Sequence, residues 1–265
     1  MGTVRSGIYY LPCKPGSVYV NITKECLNNC LFCIRRNGPL FFGWDLSMQE
    51  SAPETAKIVA RFLMAKRAGY RLEEVVLCGM GEPLLRYDCA LDICRYTREI
   101  GKSGPIIRVD TSGLFWAFEQ RLDILNWIDV LSVSLNAESA EKYEELCQPR
   151  IPRAYEVLMG LLKAVKEAET EKKQNLGFPK VRLSVVDTTE EEFVPTSGRI
   201  LYEPGTFPRP DFDACREIAA AFGWPLVVKR LFRDSCDEIW SDPAIQEKCA
   251  RGIQIERCRD CSYRH

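Results

Sequence analysis

Six short apolar runs recur along this chain, and most are followed by a stretch with helical periodicity. The runs are 18–22 (VYVNI), 74–78 (EVVLC), 106–109 (IIRV), 129–135 (DVLSVSL), 181–186 (VRLSVV) and 226–231 (LVVKRL). Strands of near-continuous apolar character, separated by helices, imply a parallel sheet covered by those helices. A first helix is signalled at Ser51-Ala52-Pro53-Glu54, a capping pattern with proline in the first turn, and Gly69 is its stop. Further helical patterns cover 89–100, 119–125, 140–146, 153–169 and 212–222, the last closed by Gly223. Six such units are short of the eight in a closed barrel. The expected fold is therefore α/β, a partial (βα)6 TIM-like barrel, with an open α/β sheet as the other layout.

Composition narrows the function. The 265 residues are 46% hydrophobic, enough to bury the core of one large domain, with or without a small appendage. A formal net charge of −1 argues against non-specific nucleic-acid binding as the main task, without forbidding a local basic patch. The 13 cysteines are odd in number, Met1 to Tyr10 lack the apolar segment of a secretion signal, and no run reaches membrane-spanning length. The expectation is a cytoplasmic protein with reduced, metal-binding thiols and no membrane partner, rather than a disulfide framework.

Three cysteines stand as C-x3-C-x2-C in Cys26-Leu27-Asn28-Asn29-Cys30-Leu31-Phe32-Cys33, directly after the first run. Three thiolates hold three irons of a cubane cluster and leave the fourth iron open, whereas ferredoxin runs close it with a fourth cysteine. Two other readings stand beside this one. Cysteines are often buried small hydrophobes. Structural zinc asks for four S or N ligands, and the one histidine is His265, at the last residue.

The other chemistry-bearing segments fall at the carboxyl ends of the runs, where α/β folds bind ligands. Gly79-Met80-Gly81-Glu82-Pro83 offers glycines for close backbone approach or positive φ, with a tight strand-to-helix turn as the plain alternative. Asp110-Thr111-Ser112-Gly113 follows the third run, where Asp110 is either a ligand contact or a turn cap. Ser132, Ser134 and Asn136 share one face by the period of two. Polar groups there need a ligand or an internal network. In the last thirty-odd residues Cys236, Cys249, Cys258 and Cys261 are spaced C-x12-C-x8-C-x2-C around a short helix at 242–248. Four cysteines close either a tetrahedral zinc or a full 4Fe-4S cluster. Cys78, Cys89, Cys94, Cys147 and Cys215 read as core residues, and Cys13 lies in a loop able to approach the tail. The expected organisation is an N-terminal extension (1–16), a core (17–231) and a cysteine-rich C-terminal extension (232–265).

On the three-cysteine run, the G-x-G-E-P segment and Ser132-Val133-Ser134-Leu135-Asn136-Ala137, the chain resembles the radical S-adenosylmethionine (SAM) superfamily. A finer resemblance is to the small TatD-associated radical SAM proteins. It rests on Tyr19-Val20-Asn21-Ile22-Thr23, Cys33-Ile34-Arg35 and Val133-Ser134-Leu135-Asn136-Ala137. The superfamily resemblance implies a 4Fe-4S cluster on Cys26, Cys30 and Cys33 whose open iron chelates SAM. Reductive cleavage then gives a 5'-deoxyadenosyl radical, with a flavodoxin or ferredoxin-type protein as electron donor. It further implies that Gly79, Gly81 and Glu82 meet the methionine amino group. Ser132, Ser134 and Asn136 would meet its carboxylate and the ribose. Asp110 would meet a ribose hydroxyl or the sulfonium, and Phe32 the adenine or the cluster. The family often carries a Thr-Asn-Gly-like segment after the third strand. Ser112 stands at its middle position here, so an amide contact is missing.

Arg35, Arg36 and Arg230 are candidate contacts for an anionic substrate. The C-terminal cysteines imply an auxiliary 4Fe-4S cluster, with zinc as the alternative. The expected reaction is hydrogen abstraction from a small polar or anionic molecule. Sixteen residues before the first strand are too few for a leader-recognition module, which counts against a peptide substrate. An RNA-modifying enzyme is the first alternative. A non-catalytic iron-sulfur or zinc protein, acting in electron transfer or as an adaptor, is the second. The G-x-G-E-P segment and the polar fourth strand count against the latter. The helical pieces between 140 and 171 are a candidate lid.

Overall fold

The computed structural model describes residues 8–10, 16–37, 40–41, 44–45, 72–99, 104–172, 177–188 and 208–230. The expected helix at 51–69, Cys13, and the tail with Cys236, Cys249, Cys258 and Cys261 lie outside the described residues.

Every expected apolar run is a strand. They are β2 (Ser17–Val20), β5 (Glu74–Leu77), β6 (Ile106–Thr111), β7 (Val130–Ser134), β8 (Lys180–Asp187) and β9 (Leu226–Arg230). A strand the sequence did not mark, β1 (Ile8–Tyr10), pairs antiparallel with β2, and β3 (Leu40–Phe41) with β4 (Trp44–Asp45) makes a separate small ribbon. The large sheet is seven-stranded in the order β1-β2-β5-β6-β7-β8-β9. The β2–β5, β7–β8 and β8–β9 pairs are parallel. From β2 onward each strand of this sheet lies beside its predecessor in the chain. A doubly wound sheet reverses its order at a switch point, and this one does not. Sequential winding is the order of a barrel wall, so the fold class is that of a partial (βα)6 barrel.

The chain divides into two compact units, residues 1–25, 38–108 and 233–265, and residues 26–37 and 109–232. In the first, Val18, Val20, Val75, Val76 and Leu77 are buried on β2 and β5, and Tyr9 of β1 stacks on Tyr19 with ring centroids 5.2 Å apart. One ionic pair is set into this apolar packing. Arg108 lies 3.1 Å from Glu74, which also accepts a 2.7 Å bond from the Ser17 hydroxyl. The helix α1 (Tyr87–Glu99) buries Ala90, Leu91, Ile93 and Cys94.

In the second unit, α2 (Ala140–Cys147), α3 (Ala154–Lys172) and α4 (Phe212–Phe222) accompany the strands. Ser139 caps α2, Asp211 caps α4, and Gly223 ends α4 at φ 71°. A Cβ on Gly113 would meet Leu158 and Leu161 of α3 and Val133 of β7, so Val133 faces that helix. By alternation Ser132 and Ser134 point to the opposite face.

Two expectations are corrected. The stretch at 119–125 is not one helix. Two 3-10 turns, Leu114–Ala117 and Asp123–Asn126, bury Leu114, Phe115, Ile124 and Leu125, while Phe118 between them is exposed. The helices at 140–171 are not a lid, because Leu158, Leu161, Leu162 and Val165 are held in the core and Tyr143 is fully buried. Among the described residues no helix is long and apolar enough to cross a membrane.

Candidate cluster and cofactor site

The three-cysteine loop is fastened to the end of one helix. The N–H groups of Asn29 and Leu31 donate to the carbonyls of Cys147 and Leu146, both at 2.9 Å. These are among the last carbonyls of α2, which have no partner within the helix. The N–H of Arg150 donates to the Leu27 carbonyl at 2.7 Å, and the Asn28 side-chain amide donates to the Tyr143 hydroxyl at 2.9 Å. Arg36 closes the other side, donating to the carbonyls of Cys30 and Asn29 and to the Gln148 side chain, at 2.8, 2.8 and 3.0 Å. Gln148 itself takes a left-handed conformation, φ 44°, as the C-cap of α2. A loop that would otherwise be free is thus held along its length by hydrogen bonds to one element.

Cys26, Cys30 and Cys33 are free thiols, each half-buried. Two of them receive a hydrogen bond at sulfur. The Asn28 N–H donates to Cys26 Sγ at 3.4 Å, and Arg35 Nε donates to Cys33 Sγ at 3.4 Å. The neighbouring buried thiol of Cys147, together with burial, raises the pKa of Cys30 well above the ordinary thiol value. Burial opposes the charge of Arg35, but the bond to Cys33 and the fields of Cys33, Cys26 and Cys30 outweigh it and raise its pKa. Burial likewise raises the Tyr143 hydroxyl, with Cys147 adding to the effect.

This donor set fits a cubane. Three thiols stand in one anchored loop, and N–H donors are directed at two of the sulfurs, those of Cys26 and Cys33, which is how proteins stabilise cluster thiolates. Among the described residues no three His, Cys, Asp or Glu side chains are grouped to hold a single metal ion. In a cubane each thiolate binds a different iron, so the three stand farther apart around the cluster than ligands of one ion do. Phe32 is half-buried in the turn between Cys30 and Cys33.

The glycine loop belongs to the first unit. The Met80 N–H donates to the Asn21 side chain at 3.2 Å, the Glu82 N–H to the Glu25 carbonyl at 2.7 Å, and Arg86 to the Ile22 carbonyl at 2.8 Å. Neither Gly79 nor Gly81 has positive φ. They are glycines because the loop presses on the chain leading into the cysteines. A Cβ on Gly81 would stand 2.4 Å from the Thr23 carbonyl oxygen and 2.5 Å from that of Glu25, and one on Gly79 would stand 2.2 Å from Asn21 Oδ1. Glu82 is buried and its carboxylate accepts the Leu84 N–H at 3.0 Å, capping the 3-10 turn Pro83–Arg86.

Asp110 lies within β6 rather than in the loop after it, because the strand continues to Thr111. Ser132 is fully buried and its hydroxyl has no hydrogen-bond partner among the described residues, while Ser134 is half-buried. Asn136 is buried just beyond β7 with φ 60°, and the N–H groups of Leu135 and Asn136 share the Ser184 carbonyl at 2.8 and 3.2 Å. A non-glycine residue at positive φ is uncommon and concentrates at functional positions. Arg230 is the last residue of β9, in register with Asp187. The sequence reading missed Asn28, Tyr143, Cys147, Gln148 and Arg150 as supports of the cysteine loop. Cys147, a cysteine at a helix end, was the one local signal.

Comparison with known proteins agrees with this geometry. The model of the radical SAM superfamily matches residues 20–190. The GTP 3',8-cyclase of Limosilactobacillus fermentum is 29% identical over 169 residues, 64% of this chain and 45% of that protein. The GTP 3',8-cyclase of Lactiplantibacillus plantarum is 27% identical over the same shares. The chain thus spans less than half the length of these relatives. Among solved structures, TYW1 with a lysine-pyruvate adduct superposes with a TM-score of 0.53 at 15% identity, over 88% of this chain and 70% of that one. Streptococcus suis SuiB bound to S-adenosylmethionine gives 0.52 at 15% identity, over 83% and 40%. With the family model covering well over half of it, the chain belongs to the radical SAM superfamily of enzymes, and membership implies SAM and a 4Fe-4S cluster as cofactors.

Proposed function

We propose that this protein is a radical SAM enzyme acting on a small anionic substrate, with nucleotides as the leading class. The observation that carries the first part is the anchored cysteine loop, fastened to the end of α2, with N–H donors directed at the sulfurs of Cys26 and Cys33. Those three thiolates hold the cluster. When bound, the cluster and SAM supply a 5'-deoxyadenosyl radical for hydrogen abstraction.

The chain's own residues bind and orient. The backbone of Gly79 and Gly81 serves the amino end of the methionine. Glu82 fixes that backbone through its cap on Leu84. Ser134 and Asn136 offer hydrogen-bonding groups to the carboxylate and ribose, with Asp110 and Ser132 beside them in the sequence reading. Phe32 supplies an apolar face next to Cys33. Arg230, at the end of β9, is the cation proposed to meet the substrate. The relatives named for GTP support a nucleotide class, through a match that spans 45% of their length. Cys236, Cys249, Cys258 and Cys261 are proposed to hold an auxiliary 4Fe-4S cluster, with zinc as the alternative. A cytoplasmic location, a flavodoxin or ferredoxin-type donor and the TatD-associated subfamily belong to the same proposal.

Anaerobic reconstitution followed by iron, sulfide and zinc analysis tests it, together with a SAM cleavage assay under reductant. The unaltered chain should release 5'-deoxyadenosine. The variant with Cys26, Cys30 and Cys33 all changed to Ala should lose one cluster and that activity. Continued SAM cleavage by the triple variant sinks the assignment. In that variant, about four residual irons per chain indicate an auxiliary cluster, and one zinc indicates a structural site.

A further inference from the structure

Two adjacent arginines follow the cysteines, with the same charge and different partners. Arg36 donates to the carbonyls of Cys30 and Asn29 and to Gln148, and so ties the loop to the end of α2. Arg35 turns the other way. Its Nε donates to Cys33 Sγ at 3.4 Å, and its Nη2 donates to the Asn28 carbonyl at 3.0 Å. The second bond holds the guanidinium in place while the first aims it at sulfur. Asn28 in turn directs its own N–H at Cys26 Sγ.

We infer that Arg35 is a positioning residue that raises the reduction potential of the cluster, whereas Arg36 only shapes the loop. The inference rests on the proposed cluster assignment to Cys26, Cys30 and Cys33. The physical basis is charge. Reduction adds an electron to a cluster already carrying anionic thiolates, and a cation hydrogen-bonded to one of those sulfurs stabilises the reduced form more than the oxidised form. Hydrogen bonds to the sulfurs and nearby charge are among the features through which a protein tunes such a centre. A half-buried guanidinium is screened less than one on the surface. The consequence is that the reductant this chain requires is set in part by a residue that holds no iron.

The test is an EPR-monitored redox titration of anaerobically reconstituted full-length protein, reading the signal that is absent from the Cys26, Cys30, Cys33 triple Ala variant. Arg35→Gln should shift the midpoint to a more negative value at unchanged iron and sulfide content. Arg35→Lys, which keeps the charge, should shift less, and Arg36→Gln should leave the midpoint in place. An Arg35→Gln midpoint equal to that of the unaltered protein overturns the inference, as does an Arg35→Lys shift as large as that of Gln. If Arg35→Gln does not hold iron, Arg35→Lys decides. A loaded cluster with a near-native midpoint supports a charge effect, and iron loss or a large shift overturns it. Failure of the cluster assignment looks different, because the triple variant would then keep the signal.

Discussion

Replacing Gly81 by Ala is the sharpest perturbation available in the first unit. The new methyl group would sit 2.4 Å from the Thr23 oxygen, 2.5 Å from the Glu25 oxygen and 2.8 Å from the Lys24 carbonyl carbon, all of them backbone atoms. Ordinary contact begins near 3.4 Å, so one of the two segments must move by about 1 Å. Forced overpacking of this kind costs about 1–3 kcal/mol. The movement also strains the 2.7 Å bond from the Glu82 N–H to the Glu25 carbonyl, which is worth roughly 0.5–1.5 kcal/mol. The expected loss is therefore about 2–4 kcal/mol, or a melting temperature lower by roughly 5–15 °C for a chain of this size.

Thermal unfolding followed by circular dichroism on the metal-free protein measures it. Gly160 in α3 is the matched control. Among the described residues its Cβ would meet only the Trp116 ring at 3.6 Å, an ordinary contact, so Gly160→Ala should stabilise by about 0.5–1 kcal/mol. Gly79→Ala clashes with the Asn21 side chain instead of with backbone, so adding Asn21→Gly should recover part of the loss. A Gly81→Ala protein that melts within a degree of the unaltered one would refute the argument that these glycines exist for close backbone approach.

Three further outcomes are expected. Tyr143→Phe removes the acceptor of the buried Asn28 amide, so it should cost about 1–3 kcal/mol and speed the loss of iron to a chelator, read by absorbance. Asn136→Gly keeps the φ 60° backbone and should fold like the unaltered chain, whereas Asn136→Ala adds roughly 1 kcal/mol of strain; in calorimetry both should bind SAM more weakly if the side chain is a ligand contact. Burial pushes the Cys215 thiol up to about 12, above its value in the unfolded chain, so its contribution to stability is complete below the unfolded pKa and is lost as pH rises toward 12. Cys215→Ala should accordingly flatten the decline of melting temperature above about pH 9, by at most roughly 1.4 kcal/mol per pH unit.

The strands were legible because each is an apolar run of the right length, bounded by turn residues, and burial in a sheet leaves that mark locally. Helix ends were legible where chemistry sits at the end itself, as at Gly223; the Asp211 cap of the same helix was not read. The edge strand β1 was not, since Ile8–Tyr10 is short and its pairing with β2 is a long-range event. The 3-10 turns near Leu114 and Asp123 escaped for a related reason, because buried positions three or four apart suit a helix and a pair of short turns equally.

At the candidate site the split follows the range of the interaction. Cys26, Cys30 and Cys33 announce themselves because cysteine is the usual cluster ligand and these three sit close in sequence. Their supports carry no such constraint. Any residue able to accept an amide could stand where Tyr143 meets Asn28, 115 positions away, and any helix end could offer the carbonyls of Leu146 and Cys147. The same holds for the arginine pair, which sequence alone leaves as two equivalent candidate contacts for an anionic substrate. Geometry separates them, since Arg36 donates to carbonyl and amide oxygens while Arg35 donates to a sulfur as well as to a carbonyl. Because Arg36 matches Arg35 in charge and is its neighbour in sequence, any difference between their Gln variants reports on where the charge is aimed rather than on how much charge the loop carries.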